Sequence, residues 1–326
     1  MSAGKIIASA ATTLLIATVA SITGQFHKTA LAIDVAHFYA PFALAYFSVL
    51  FMIPLYPLYL LASALFSSSA LSQLHSEALQ ILKTKKGKLY PTWKLAAASI
   101  IALSLWICPP YLFGVGVKYV SVSVGLSILS LNSAMVFIIS IFCLGTKFSW
   151  LTAVGIIFSV SGVFFLSMDS EFTGDILGVF IIFLAATGMA FYTTSFKKVF
   201  GEPSLGQIML FQSLLGLANL LWNTAVVAAI IFFDLEHVDF KQIPWPPVLG
   251  LSFGMLTYSI VMNVGVAFVS PLAVAIGVLV GIPMTAAIDI IFRGLQASAY
   301  FYFGGLLISI GFCLTTFPFD RWMTRK

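Results

Sequence analysis

The chain states nearly the same apolar phrase twice. The run Gly116-Val117-Lys118-Tyr119-Val120-Ser121 aligns without a gap on Gly265-Val266-Ala267-Phe268-Val269-Ser270, and the same offset sets Gly155 over Gly304 and Gly162 over Gly311. A long hydrophobic span precedes each glycine pair and another surrounds it. A repeat of membrane-length segments points to a carrier built from two related halves, with its substrate held near the bilayer midplane. Composition fixes the solvent: 60% of the 326 residues are hydrophobic and 8% are charged, against about 45–50% and about 25% in soluble domains. A soluble core cannot hide that much apolar surface, so the predicted fold class is an all-α polytopic membrane protein.

A helix needs about 20 apolar residues to cross the hydrocarbon layer. Ten segments qualify, near 5 to 23, 38 to 65, 94 to 117, 121 to 145, 149 to 168, 174 to 196, 205 to 233, 247 to 269, 271 to 292 and 297 to 318. Five spans per half is an odd number, so the second half enters the membrane upside down relative to the first. The expected architecture is therefore ten transmembrane helices as two inverted five-helix repeats, 1–168 (with a cytosolic loop over 67–94) and 169–326. The first span reads as a retained helix, since Lys5 alone precedes it and no cleavage site is convincing; Thr12, Thr13 and Thr18 suit a helix packed on others.

With the N-terminus in the cytosol, twelve of the 16 lysines and arginines fall on the cytosolic side, and Lys28, Lys118, Lys241 and Arg293 fall on the other. This bias predicts both termini cytosolic, in an integral multi-pass protein of the plasma membrane or of a Golgi or vesicle membrane. The +5 net charge then faces anionic headgroups of the lipid bilayer, and no nucleic acid partner is expected. Cys108, Cys143 and Cys313 lie in apolar segments and read as core packing; neither a disulfide framework nor a CxxC metal site is indicated. No cofactor and no metal are expected.

Polar residues inside spans are the candidate substrate path. Gln212, Gly216, Asn219 and Asn223 recur at i, i+4, i+7 and i+11, a narrow stripe that must look away from lipid. The stripe reads either as interhelical hydrogen bonding or as a cavity wall that touches solute. Asn132 and Asn263 carry the same two readings. Tyr111, Tyr192 and Tyr258, with Tyr46, Trp106 and Trp222, suit a stacking cage or anchors at the membrane interfaces. Asp289 is the one acid placed inside a predicted span and not at its first turn, where Asp175 stands in the sixth; it serves either a cationic solute or a local salt bridge with Arg293 at i+4. The glycine pairs, two turns apart on one helical face, read as packing seams. His27, His37, His75 and His237 lie in loops or at span ends and no HExxH occurs, so an enzyme is not expected.

Residues 190–198, Ala-Phe-Tyr-Thr-Thr-Ser-Phe-Lys-Lys, close the sixth span with a pattern similar to one shared across the drug/metabolite transporter superfamily. Ile243-Pro244-Trp245, Asn263-Val264-Gly265-Val266-Ala267, Ser270-Pro271-Leu272, Ile282-Pro283 and Ala287-Ile288-Asp289 resemble the F branch of solute carrier family 35. Within that branch the chain looks most like the members described as thiamine transporters. The resemblance implies a secondary transporter whose partner is a small-molecule substrate, thiamine or a related cationic or neutral metabolite. A nucleotide-sugar antiporter of the endomembrane system and a non-transporting receptor or scaffold are the alternatives. A coupling ion or counter-substrate, and a second copy of the chain in a homodimer, stay open as further partners.

Overall fold

Apolar length dictates helices, and the computed structural model is built of them; it describes residues 3–32, 38–66, 71–83, 87–116, 119, 128–167, 175–239, 241–293 and 299–316. In chain order these are α1 (Ala3–Ala32), α2 (Pro41–Leu50), α3 (Leu55–Phe66), α4 (Leu71–Ala78), α5 (Thr92–Gly116), α6 (Leu131–Leu144), α7 (Trp150–Ser167), α8 (Ile176–Phe200), α9 (Leu205–Phe232), α10 (Trp245–Phe268), α11 (Pro271–Arg293) and α12 (Ala299–Thr316). Among the described residues six stretches are long and apolar enough to cross a membrane: Ser9–His27, Pro41–Phe66, Thr92–Gly116, Ile176–Phe200, Leu205–Phe232 and Trp245–Phe268. Four shorter apolar helices, Leu131–Leu144, Trp150–Phe165, Pro271–Met284 and Tyr302–Thr315, fall on the remaining expected spans. Of the fourth expected span, residues 121–127 lie outside the described residues.

Burial runs opposite to that of a soluble protein. On α9, Gln212 and Asn219 are fully buried while Leu217, Leu220 and Leu221 are exposed, as expected where the surrounding solvent is hydrocarbon. Cys108 and Cys313 are exposed as well, and Cys143 is intermediate. The expectation of core cysteines therefore fails, because apolar pattern alone does not separate a lipid-facing position from a core one.

The helices gather into two compact units, each drawing on both halves of the sequence. One comprises Met1–Ile22, Cys108–Val199 and Gly265–Lys326; the other comprises Thr23–Ile107 and Phe200–Val264.

In the first unit α7 and α12 meet at the repeated glycines. A Cβ on Gly162 would stand 2.6 Å from the carbonyl oxygen of Gly304, and one on Gly155 would stand 3.0 Å from that of Gly311. The helices run antiparallel here, with backbones as close as glycine permits. A second seam joins α1 to α11. Thr13 and Ser21 donate to the carbonyls of Ala273 (3.4 Å) and Gly281 (2.9 Å), and Gly277 and Gly281 back onto the carbonyls of Thr13 and Ala17. Small residues four apart on both helices make this approach, so Thr13 packs as its sequence context suggested. Lys197, near the C-terminal end of α8, donates its Nζ to the carbonyl of Ala267 near the C-terminus of α10, where the helix dipole favours a cation.

In the second unit the expected single span over 38–65 is broken at residues 51–54, between α2 and α3. Proline explains the break. Pro54 has no N–H for the carbonyl of Leu50 and Pro57 has none for that of Ile53. Ile53 N–H turns back to Leu50 O (3.1 Å), and the Ser213 hydroxyl of α9 donates to Ile53 O while accepting from Tyr56 N–H (3.4 Å). Gly216 lets α9 lie on this bend, since a Cβ there would stand 2.9 Å from Ile53 N.

The polar stretch 67–94, expected as a loop, contains α4. Leu71, Leu74 and Ala78 share one face, and the polar residues between them share the other. The Gln207 amide donates to the Glu77 carbonyl (3.1 Å), and Tyr56 Oη and His75 Nδ1 are 2.8 Å apart. At the other end of α2, a short antiparallel pair, β1 (Phe38–Tyr39) and β2 (His237–Val238), brings in Glu236. Its carboxylate accepts from Phe42 N–H (2.7 Å) and Ala43 N–H (3.0 Å). That satisfies a helix N-terminus whose own N-cap, Ala40, has no side-chain acceptor.

Candidate functional site

The residues proposed for the substrate path divide between the units. Gln212, Asn219, Asn223, Tyr258 and Asn263 belong to the second; Tyr111, Asn132, Tyr192 and Asp289 belong to the first.

In the second unit the amides knit helices together. Gln212 Nε2 donates to the Ser259 carbonyl of α10 (2.9 Å), and Asn263 Nδ2 donates to the same oxygen (3.0 Å). Asn219 Nδ2 donates to the Tyr46 carbonyl of α2 (2.9 Å), and its Oδ1 accepts from Asn223 Nδ2 (3.0 Å). The stripe on α9 thus faces protein on two sides, as a polar stripe in lipid must. Tyr46 Oη and Thr224 Oγ1 are 2.7 Å apart. Gln212 retains a buried Oε1 without a hydrogen-bond partner. Tyr258 is half-buried on α10.

In the first unit Tyr192 is buried and stacks near Phe196, with centroids 6.4 Å apart; Tyr111 is half-buried on α5. Asp289 and Arg293 lie on α11, but their side chains are outside the described residues. Asn132 sits at the first turn of α6 beside a cavity of about 30 Å³, whose walls are Leu129, Ser130, Asn132 and Ser133 on one side and Ala275, Val278, Leu279 and Ile282 of α11 on the other. Ser130 gives no signal of its own in the sequence, because serine is so common as a small packing residue in membrane helices. Among the described residues no group of His, Cys, Asp and Glu could hold a metal ion.

Fold and site define a polytopic, helical, integral membrane protein with uncharged polar groups buried in its spans. No protein-family profile matches the chain. It is 27% identical over 299 residues to solute carrier family 35 member F3 of Homo sapiens, covering 88% of this chain and 69% of that protein. It is 26% identical over 292 residues to solute carrier family 35 member F4 of Homo sapiens, covering 88% and 55%. The chain spans between 53% and 69% of the length of these relatives and their mouse counterparts. A solved crystal structure superposes with a TM-score of 0.68 over 96% of this chain and 99% of that one, at 14% identity, a likeness of fold. The chain is thus similar over most of its length to members of the F branch of solute carrier family 35, and these relatives point to a transporter rather than an enzyme.

Proposed function

We propose that the chain is a secondary transporter of ten transmembrane helices, arranged as two inverted repeats of five, that moves thiamine or a closely related organic cation by alternating access. Reciprocal glycine contacts carry this reading. The repeat equates Gly155 with Gly304 and Gly162 with Gly311, yet Gly155 meets Gly311 and Gly162 meets Gly304. Each glycine touches the counterpart of the other, which is what a local two-fold axis produces. Between antiparallel spans such an axis lies across the helices, as in inverted-repeat carriers. A second exchange supports it: Gly116 abuts Ile182 of α8, the first helix of the second half, and its counterpart Gly265 abuts Thr12 and Ile16 of α1, the first helix of the first half.

The span inventory favours a neutral or cationic solute. It offers amides, tyrosines and Asp289, with no lysine or arginine at mid-span, so a diphosphate would lack the cationic partners it needs. Two aromatic rings and a permanent positive charge suit tyrosines and a carboxylate. The test is uptake of radiolabelled thiamine into liposomes bearing the purified protein. The expected result is saturable accumulation that unlabelled thiamine competes away. Uptake no faster than in protein-free liposomes would overturn the substrate, and binding without uptake would overturn the transporter.

A further inference from the structure

The cavity between α6 and α11, at about 30 Å³, is too small for an organic solute. It is large enough for one atom-sized guest, since about 10–15 Å³ on that scale admits a water. Its lining holds acceptors with capacity to spare. Asn132 is 5% exposed and its Oδ1 has no hydrogen-bond partner. Ser133 is fully buried; its N–H and its hydroxyl both donate to the Ser130 carbonyl, at 3.2 and 3.0 Å. Its hydroxyl oxygen keeps accepting capacity. Across the cavity, Leu279 lies one turn before Pro283, which has no N–H to give to the Leu279 carbonyl.

The repeat supplies an internal control. Its offset equates Leu129, Ser130, Asn132 and Ser133 with Val278, Leu279, Gly281 and Ile282, and Val278, Leu279 and Ile282 form the opposite wall of this same cavity. Equivalent positions therefore build both walls, one polar and one apolar. Packing at this crossing does not call for the polarity. A buried amide with an unmade bond costs about 1–3 kcal/mol, a cost that a guest would offset.

We propose that this cavity is a site for one monovalent cation of sodium size, held by Asn132 Oδ1, the Ser133 hydroxyl oxygen and the Leu279 carbonyl. A cation attracts all three acceptors together, whereas a water has two hydrogens to give. The lining residues include no acid, so nothing there would compensate the desolvation of a divalent ion. In the transporter reading the ion is a coupling ion bound apart from the solute; the binding itself does not depend on that reading.

Full-length protein in detergent is melted in sodium chloride, potassium chloride and N-methyl-D-glucamine chloride at equal ionic strength. A saturable rise of roughly 3–8 °C specific to sodium is expected. Asn132→Leu should abolish the sodium rise while melting no lower than wild type in potassium. Should that variant fail to fold, Ser133→Ala removes one ligand oxygen and little volume, and must raise the half-saturating sodium concentration about tenfold. Equal melting of the wild type in all three salts, the behaviour of a site that holds water, overturns the proposal. So does a sodium rise that both variants retain. The readout needs no solute, so a chain that binds sodium yet moves nothing would overturn transport and leave this site standing.

Discussion

Replacing Gly162 by alanine sets a methyl group against the backbone of α12. Its Cβ would stand 2.6 Å from Gly304 O and 2.9 Å from Ile308 N, against about 3.5–4.0 Å for unstrained contact. Both are main-chain atoms of a helix and cannot rotate aside, so the helices must part or bend. Overpacking of this kind costs about 1–3 kcal/mol, and alanine returns about 0.8–1.0 kcal/mol of helix propensity. The net expectation runs from neutral to about 2 kcal/mol less stable. Gly305 is the matched control: nothing lies within 4 Å of its would-be Cβ, so Gly305→Ala should gain up to about 1 kcal/mol. The two variants should differ by about 1–3 kcal/mol in a titration from mild detergent into dodecyl sulfate, followed by tryptophan fluorescence. Gly311→Ala, which meets Gly155 O and Ser159 N, should cost at least as much as Gly162→Ala. Equal stability of Gly162→Ala and Gly305→Ala would refute close packing at the seam and remove the reciprocal contact on which the two-fold rests.

Ser213→Ala strips the hydroxyl from the bend between α2 and α3, leaving Ile53 O without its donor and Tyr56 N–H without its acceptor; a loss of about 1–3 kcal/mol is expected in the same titration, and a loss below about 0.5 kcal/mol would remove the bridging role. Asn219→Leu breaks the bonds with Tyr46 and Asn223, so it should lose about 1.2 kcal/mol, at about 0.6 for each bond; unchanged melting with abolished uptake would instead make the stripe a solute contact. The Tyr39 phenol, outside the spans, is pushed up from its ordinary value by burial and then by the Glu236 carboxylate. Because its folded value is raised, its stabilising contribution is whole below about pH 10 and is lost as pH climbs through the folded value. Melting of the wild type between about pH 9 and 11 should fall more steeply than that of Tyr39→Phe, and parallel curves would contradict this.

The apolar helices are legible because a bilayer selects apolar length and little else: among the described residues six are long enough to cross it, and four shorter ones fall within the remaining expected spans. The break at residues 51–54 is legible in part. Pro54 and Pro57 announce two carbonyls without donors, but the serine that answers one of them lies far along the chain on α9, and sequence spacing does not nominate it. The polar stripe is readable as a face that avoids lipid. What it bonds is not, because the acceptors are the backbone carbonyls of Ser259 and Tyr46, a group every residue carries.

A carrier built from a repeat can keep its backbone nearly symmetric, but a solute or ion is not symmetric, so the side chains must break the likeness wherever they bind one. The informative signal at α6 is therefore a difference between copies and not a motif. Asn132 stands where the second copy has Gly281, and Ser133 where it has Ile282. The glycine seam shows the converse: the repeat offset sets Gly155 and Gly162 over Gly304 and Gly311, and these glycines serve the close packing of α7 on α12. Positions that agree across the repeat hold the frame, and buried positions that disagree in polarity are where chemistry specific to this chain should be sought.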